Sequence, residues 1–511
     1  MNNEDREAFI ALIAPIGIDL EQVNSVLSER LRQISYEPNI IKLTDELKST
    51  GRVPKNFRNE VERYREFIKA GDKICADSKR GDILVLLSIA RLLSDANGEE
   101  NRDRLAKSRR VNVFRQIKRL DEYATLERVY GRNIIFLGCY ASKEKRISYL
   151  VDRMRVTDRG SNIAKLESHA LEIMSIDEDE TDNLYGQRII DCYPKSDYII
   201  DCSNLKTLEL SIDRFLQIYF GHPFISPNID EYASYIANAA AYRSLDLSRQ
   251  VGAAIFGNNG EIIAMGCNEV PSPEGGTYWN HSNDDVRDFQ IGYDSNQRFK
   301  EDLARDALDK LKIRGWLSEK LNQMDLDKIV NDVFKEPDRS TGDESGPWHD
   351  AMISNIIEYG RMVHAEMNAI TDAARFRRST QGATLYCTTM PCHMCTKLII
   401  ASGIRRVVYV QPYVKSMTGE LFKDSVAFDC NDHDHRVNFT SLRGVTPAGF
   451  KRAFSRSKKR KNKDGNAIKW NKLKAIPNFL TTFPYYIQLE LQCVEELRLI
   501  NEGDSASGSS T

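Results

Sequence analysis

The chain has 511 residues, 41% of them hydrophobic and 29% charged, a composition typical of a globular protein of two or three domains. Its 72 Lys and Arg against 74 Asp and Glu give a net charge of −2, which excludes a global field that attracts nucleic acid or anionic lipid. No run approaches the roughly 18 apolar residues of a membrane span, and the first residues lack a signal-peptide pattern. We therefore expect a cytoplasmic protein with no membrane partner.

Short apolar runs alternate with amphipathic stretches over the first 220 residues. Strands are predicted at 9–13, 39–43, 132–137 and 198–201, with helices such as 55–70 and 143–155 between them. Strands that alternate with helices are typical of a parallel sheet covered by helices. We therefore predict an α/β domain over residues 1–220.

A second α/β domain is predicted over residues 229–430. The segment 221–227 separates the two, because its glycine and two prolines cannot continue a helix. The predicted elements are a helix at 230–247, a hairpin at 251–265, a polar helical insertion at 276–350, a helix at 363–376, a strand at 384–387, a helix at 392–402 and a strand at 406–410. Residues 431–500 are predicted to form a C-terminal extension, and the Ser/Gly-rich residues 501–511 a disordered tail.

One histidine and two cysteines have the spacing of a zinc site. His364 begins a His-x-Glu motif, and Cys392, 28 residues further on, begins a Cys-x-x-Cys motif that ends at Cys395. Together they match the H-x-E…P-C-x-x-C pattern of zinc nucleobase deaminases. In a helix opened by Pro391 the two cysteines share one face, and the helix N-terminus favours the thiolate that binds Zn²⁺. Three protein ligands leave the fourth tetrahedral position for water, which indicates a catalytic site.

Glu366 is predicted to be the proton-transferring residue of this site. It stands two residues after His364, so on a helix the two side chains point in different directions and the Glu is better placed beside the water than on the metal. A lone H-x-E or C-x-x-C is common in surface helices and structural zinc half-sites, but the combination favours catalysis. His393 points away from the cysteine face and is predicted to be structural.

The residues around the two motifs resemble the deoxycytidylate (dCMP) deaminases. The likeness lies in residues 248–255, 266–271, 364–370 and 384–404. It implies the cytidine-deaminase fold, a three-layer α/β/α sandwich with zinc between the starts of two helices.

The same resemblance implies substrate contacts. The family's G-Y-N-G-x-P loop contacts the nucleotide sugar through its asparagine, which here is Asn268, and Ala365 is a second candidate for substrate contact. Cys267 and Glu269 replace the tyrosine and the second glycine of that loop. Because of these two replacements, the resemblance does not define the phosphate end of the pocket. A plain turn residue is the alternative for Asn268.

The N-terminal part resembles a nucleoside-monophosphate or dephospho-CoA kinase, through its opening strand, turn and helix and through residues 196–204. A working phosphate loop needs G-x-x-x-x-G-K-[ST], and the chain contains no Gly-Lys pair. Gly17 and Asp19 are candidate nucleotide contacts at the loop position, although the Asp19 carboxylate repels phosphate. We therefore expect a degenerate P-loop kinase-like domain that senses a nucleotide, an RNA or another partner; a purely structural domain fits equally well.

A degenerate kinase-like half followed by a dCMP-type deaminase half is similar to the bacterial anti-phage dCTP deaminases. This resemblance implies Zn²⁺-dependent conversion of dCTP to dUTP and of dCMP to dUMP, which depletes dCTP during infection, and a homo-oligomer. The alternatives are a housekeeping dCMP deaminase, a polynucleotide deaminase and a nucleotide sensor with structural zinc. Residues 451–463, with eight Lys and Arg among thirteen, are the best support for polynucleotide binding.

A second metal site is an open alternative in the C-terminal part. Cys430, His433 and His435 lie within six residues of one another. A solvated polar loop explains the same pattern.

Overall fold

The chain forms two units, which the computed structural model divides into Met1–Glu231 with Arg443–Thr511, and Tyr232–Leu442. The structure describes residues 6–96, 99–106, 108–180, 183–280, 285–337, 343, 345–349, 351–413, 416–430, 435–455, 459–479 and 485–507. In this part of the chain no helix is both long enough and apolar enough to cross a membrane.

The first unit is built on a six-stranded sheet. Its strands are β1 (Ala8–Ile13), β2 (Glu37–Lys42), β3 (Arg110–Ile117), β4 (Ile134–Tyr140), β5 (Tyr198–Asp201) and β12 (Gly444–Val445). They lie in the order β12-β5-β4-β1-β3-β2, and every neighbouring pair is parallel except β12 with β5. The first strand of the chain is therefore central.

Helices cover both faces of this sheet. They are α1 (Leu20–Gln33), α2 (Leu43–Ser49), α3 (Glu60–Ser78), α4 (Ile83–Asp95), α5 (Glu99–Leu105), α6 (Leu120–Tyr130), α7 (Lys143–Thr157), α8 (Ile163–Glu178), α9 (Ile189–Cys192), α10 (Leu205–Tyr219), α19 (Phe450–Phe454) and α20 (Tyr486–Ser507). Alternate residues of β1 enter two separate hydrophobic cores, and all six are fully buried. A continuous apolar strand is typical of a parallel sheet covered on both faces, which confirms the predicted α/β class.

Strand β3 was not predicted from the sequence. Polar residues interrupt its apolar pattern, and one of them, Asn112, is fully buried because its side chain donates a hydrogen bond to Glu7 (2.8 Å). Buried hydrogen bonding of this kind is invisible to a hydrophobicity pattern.

The C-terminal residues differ from the predicted separate extension. Residues up to Leu442 belong to the second unit, whereas the chain from Arg443 onward belongs to the first. There β12 pairs with β5, and Cys493 and Leu497 of α20 are buried in the same core as α4. Helix α20 continues to Ser507, into the segment predicted to be disordered, and residues 508–511 lie outside the described part of the chain.

The second unit also contains a six-stranded sheet. Its strands are β6 (Gly252–Phe256), β7 (Ile262–Cys267), β8 (Thr384–Thr389), β9 (Arg406–Gln411), β10 (Val426–Phe428) and β11 (Val437–Ser441), in the order β10-β11-β9-β8-β6-β7. The pairs β6–β7 and β6–β8 are antiparallel and the remaining pairs are parallel. The mixed sheet is parallel on the side that carries β8 and β9.

Helices lie on both faces of this sheet as well. They are α11 (Ile229–Ala241), α12 (Asp288–Ile291), α13 (Ser295–Ile313), α14 (Glu319–Asn322), α15 (Leu326–Val333), α16 (Ala365–Arg375), α17 (His393–Ala401) and α18 (Thr418–Leu421). Helices α16 and α17 share a core with one face of β6, β8 and β9, and α11 packs on the other face. Helices α13 and α15, from the predicted insertion, bury a small core of their own.

A buried charge cluster ties α20 to the sheet of the first unit. The guanidinium of Arg102 is fully buried and donates two hydrogen bonds to Glu490 of α20, at 2.7 and 2.6 Å. It also lies 2.8 Å from a carboxylate oxygen of Glu7, beside β1. The hydroxyl groups of Tyr130 and Tyr486 donate to the two carboxylates, at 2.9 and 3.0 Å. Removal of either acid would leave a buried cation undercompensated.

We expect Glu490→Ala to lower the free energy of unfolding of the first unit by about 3–5 kcal/mol, because it breaks a buried ion pair from one side. Urea denaturation followed by circular dichroism measures the change. The matched control is Glu495→Ala on the same helix, whose exposed pair with Arg498 (3.0 Å) should contribute less than about 1 kcal/mol. Equal stability of the two variants would contradict the assigned role of the cluster.

Candidate active site

His364 is held at the N-terminus of α16, one residue before the helix begins. Helix α16 lies close against β7 because Gly266 has no side chain: a Cβ there would collide with the carbonyl oxygen of Ala365. The side chain of Asn368 donates a hydrogen bond to the carbonyl of Cys267 (3.0 Å) and fixes the same contact. The position of His364 therefore follows from close packing of a helix on a strand.

The two cysteines lie at the start of α17, directly after β8. Cys392 is the N-cap residue and Cys395 is in the first turn. The hydroxyl of Thr396 donates to the Cys392 carbonyl (2.9 Å), and Ser416 donates to the carbonyl of Pro391 (3.0 Å). These hydrogen bonds hold the turn that presents both sulfur atoms.

The three predicted ligands converge. The Nδ1 atom of His364 is 3.3 Å from the Sγ atom of Cys392 and 3.3 Å from that of Cys395. Tetrahedral zinc with ordinary bond lengths would place these nitrogen and sulfur atoms about 3.6 Å apart. Among the described residues, this is the one group of three that could hold a metal ion. Its donor set of one imidazole and two thiols fits Zn²⁺.

The environment of the ligands stabilises a thiolate. A hydrogen bond from Cys395 lowers the pKa of Cys392 to about 4, against the effect of burial and with a further contribution from His364. Burial alone would lower the pKa of His364, but the Cys392 thiolate beside it raises this pKa to about 9. Burial keeps the pKa of Cys395 well above its ordinary value. Zinc binding therefore has to displace protons from His364 and Cys395.

Glu366 lies against the ligands in the first turn of α16, as its position in the motif predicted. Only 4% of its surface is exposed. Burial, followed by the negative charge of Cys392, raises the pKa of its carboxyl group to about 7, and the carboxyl lies within hydrogen-bonding reach of Cys395. A carboxyl group that titrates near neutral pH can both accept and donate a proton.

Asn268 has a clear structural role. Its side-chain oxygen accepts a hydrogen bond from the backbone N–H of Val251 (2.7 Å), and its amide donates to the carbonyl of Arg249 (2.7 Å). These bonds hold the chain at the start of β6. One further acceptor and one further donor position of the amide are not used by these bonds, so sugar contact stays a prediction. Ala365 is fully buried beside β7, and its substrate contact is also a prediction.

The other predicted residues lie outside this group. Gly17 and Asp19 belong to the first unit: Gly17 has a φ of +92°, and Asp19 caps α1 by accepting a hydrogen bond from Gln22. The Nε2 atom of His393 lies 3.3 Å from a carboxylate oxygen of Glu358. His433 lies outside the described residues, and a second metal site with Cys430 and His435 stays an open alternative to a solvated polar loop.

Tyr413 is a residue of the site that the sequence analysis missed. Its pKa is raised by burial and then by the negative charge of Cys392, and the positive charge of Arg249 acts in the opposite direction. The phenol therefore lies within electrostatic range of both Cys392 and Arg249. It follows β9 after a single intervening residue, and no local motif marks that position.

Residues 227–411 match the family model of the cytidine and deoxycytidylate deaminase zinc-binding region. The deoxycytidylate deaminase of Enterobacteria phage T2 is 49% identical over 57 residues, which cover 11% of this chain and 30% of the phage enzyme. The human deoxycytidylate deaminase is 30% identical over 84 residues, 16% of this chain and 46% of the human enzyme. The chain thus spans less than half the length of these relatives.

A solved structure of the dCMP deaminase from cyanophage S-TIM5 in complex with dCMP and dUMP aligns with 43% of this chain and 100% of its own. The sequence identity is 18% and the TM-score is 0.23. The family match and the His/Cys/Cys group together indicate, in the second unit, a zinc-binding region similar to that of the cytidine and deoxycytidylate deaminases.

We expect Glu366→Ala to retain about one Zn²⁺ per chain and to lose deamination by at least about 100-fold, because it removes the proton-transferring group and leaves all three ligands. Metal analysis and ammonia release measure the two properties. Cys395→Ser should lose the zinc, and Thr371→Ala, exposed on the same helix as Glu366, should change neither. A Glu366→Ala variant with normal activity would exclude this role.

Proposed function

We propose that the chain hydrolytically deaminates free deoxycytidine nucleotides, dCTP to dUTP and dCMP to dUMP, and that depletion of dCTP serves antiviral defence. The observation that carries the reaction is the buried Glu366 carboxyl against a compact His364, Cys392 and Cys395 group. A structural zinc site has no use for a buried acid at its side. The geometry therefore favours an enzyme over a sensor with structural zinc.

The chemistry divides between the metal and the protein. Zn²⁺ held by the three ligands supplies Lewis-acid activation of water at neutral pH. Glu366 accepts one proton of the water and delivers it to the ring nitrogen of cytosine as the water oxygen bonds to C4. It then transfers the second proton from that oxygen to the amine, and the C4–N bond breaks to release ammonia. Burial raises the pKa of this carboxyl group, which suits a group that both accepts and donates a proton. The product is the deoxyuridine nucleotide.

Two observations support deoxycytidine nucleotides as substrates. The matched relatives from phage T2 and human are deoxycytidylate deaminases, which favours dCMP. The second unit is joined to a large α/β unit that a housekeeping dCMP deaminase would not require, which favours dCTP and a role in defence. A housekeeping dCMP deaminase is the nearest alternative.

We also propose that the first unit is a degenerate relative of the nucleoside-monophosphate kinases and regulates the enzyme. A central, fully buried β1 with parallel strands on either side supports this proposal, and the missing Gly-Lys pair argues against phosphoryl transfer. We expect a cytoplasmic homo-oligomer, as the resemblance implies.

Polynucleotide deamination has weaker support. The basic residues 451–463 belong to the first unit. One of them, Arg452, is used inside that unit: its guanidinium donates to the carbonyl of Ile134 (2.6 Å) and lies 3.4 Å from Asp197. A cation engaged in this way is not available to a phosphate backbone.

We expect purified, zinc-loaded protein to deaminate dCTP and dCMP and to leave a cytosine-containing oligonucleotide unchanged. Chromatography of the four reactions with dCTP, dCMP, cytidine and the oligonucleotide measures the products. Turnover of dCMP alone would indicate the housekeeping enzyme. Turnover of the oligonucleotide alone would exclude the proposal.

We expect cells that express the chain to lose dCTP and to form fewer phage plaques after infection, because phage replication needs dCTP. Nucleotide pools and plaque counts are compared with those of cells that express the zinc-loaded Glu366→Ala variant. Equal plaque counts in the two strains would exclude the defence role and leave the deaminase reaction untouched.

A further inference from the structure

Glu269 stands where the G-Y-N-G-x-P loop of the deoxycytidylate deaminases has its second glycine, and its side chain points into the protein. The residue is fully buried. One oxygen of its carboxylate accepts a hydrogen bond from the backbone N–H of Val270 (2.9 Å), and the other accepts one from the backbone N–H of Leu245 (3.1 Å). A glycine could make neither bond. The carboxylate therefore connects this loop to the chain that follows α11.

The backbone of Glu269 connects the same loop to a predicted zinc ligand. Its N–H donates a hydrogen bond to the carbonyl of Val363 (3.2 Å), and its carbonyl accepts one from the N–H of Val363 (3.1 Å). Val363 directly precedes His364 at the start of α16. Glu269 thus contacts the histidine-bearing segment through its backbone and the segment 245–251 through its side chain.

The segment 245–251 lies beside the candidate active site. Arg249 is within electrostatic range of Tyr413, a residue of that site. The side-chain amide of Asn268 holds the end of the segment through hydrogen bonds with the carbonyl of Arg249 and the N–H of Val251, both at 2.7 Å. The start of the segment is held by the carboxylate of the next residue in the loop. The geometry of this side of the site therefore depends on two consecutive loop residues.

The carboxylate of Glu269 is paired with a cation from the inserted segment. Arg287, which directly precedes α12, is only 3% exposed, and its guanidinium lies 3.5 Å from that carboxylate. Its Nε atom also donates to the two carboxylate oxygens of Asp285, at 2.9 and 3.0 Å. Loss of one partner of a buried ion pair leaves an uncompensated charge, and a carboxylate in that state is driven to turn toward water. The orientation of Glu269 therefore depends on Arg287.

A second contact joins the inserted segment to residues 245–251. The hydroxyl of Ser248 donates a hydrogen bond to the carboxylate of Asp294 (3.2 Å), which is the N-cap residue of α13. Helix α13 belongs to the small core that the inserted helices form among themselves. The insertion thus contacts this side of the site at one buried point, through Arg287, and at one exposed point.

We infer that Arg287 is a positioning residue of the active site: through Glu269 it holds the segment 245–251 in place, and the inserted helices thereby set substrate affinity. The inference rests on the proposed deaminase reaction, which it deepens. Supporting residues of this kind fix the geometry in which a substrate is bound. Glu366 and the three ligands lie at the starts of α16 and α17, so loss of the pair weakens substrate binding more than the chemical step.

Arg287→Met in the full-length chain should raise the KM for dCMP and dCTP at least about tenfold, lower kcat less than about threefold and leave the zinc content unchanged. A variant that is merely less stable has a smaller active fraction and an unchanged KM. The matched control is Arg305→Met, which removes an arginine of the same insertion whose pair with Asp327 is 43% and 62% exposed, and which should change KM less than about twofold. An unchanged KM in folded Arg287→Met would overturn the inference.

A double-mutant cycle tests whether the two residues act together. Glu269→Gly, which restores the glycine of the related loop, should raise KM at least as much as Arg287→Met, and Glu269→Gly/Arg287→Met should raise it no further than Glu269→Gly alone. If Arg287→Met does not fold, the double variant decides, because it leaves no unpaired carboxylate at position 269; its KM should then be at least about tenfold above that of the wild type. A double variant with the wild-type KM would overturn the inference, and so would multiplication of the two single effects.

Hydrogen–deuterium exchange distinguishes a failure of this inference from a failure of the proposed reaction, because it needs no turnover. The backbone amide of Leu245 should exchange at least about tenfold faster in Arg287→Met and in Glu269→Gly than in the wild type, since it loses its acceptor, and at the wild-type rate in Arg305→Met. A wild-type chain that deaminates neither nucleotide would exclude the proposed reaction, and the exchange would then decide alone. Unchanged exchange of Leu245 in Arg287→Met would overturn the inference.

Discussion

The candidate active site of the second unit requires that one imidazole nitrogen lie 3.3 Å from each of two sulfur atoms in the protein interior. Such a group is tolerable only because the N-termini of α16 and α17 meet there and their dipoles favour the thiolate of Cys392. Close packing of α16 on Gly266 and the hydrogen bonds around Pro391 maintain this meeting point. The fold itself thus provides the electrostatic conditions that a bound metal ion requires.

The first unit, in contrast, compensates its buried charges by ion pairs between its own residues. Its carboxylates are paired with cations of the same unit, Asp177 with Lys118, and Glu490 with Arg102. The backbone N–H of Ile16, in the loop after β1, therefore already donates to a carboxylate of the same unit.

Local patterns predicted much of the fold and the centre of the site. The apolar runs of β1 and β5 and the ligand spacing around His364 and Cys392 depend on neighbours in the sequence, so they could be read directly. Strand β3 could not, because its polar residues are satisfied by distant partners such as Glu7. The sequence also did not predict that the chain returns to the first unit after residue 442. Strand β12 is only two residues long, and Arg102 lies 388 residues from its partner Glu490. Tyr413 carries no motif at all.

The separation between Arg102 and Glu490 has a consequence for biosynthesis. Residues 232–442 are contiguous, so the second unit can fold as soon as they leave the ribosome. The unit that precedes it in the sequence has to wait for α20 before Arg102 gains its second carboxylate. A ribosome that stops short of α20 therefore releases a chain in which residues 232–442 are complete but Arg102 lacks its Glu490 partner.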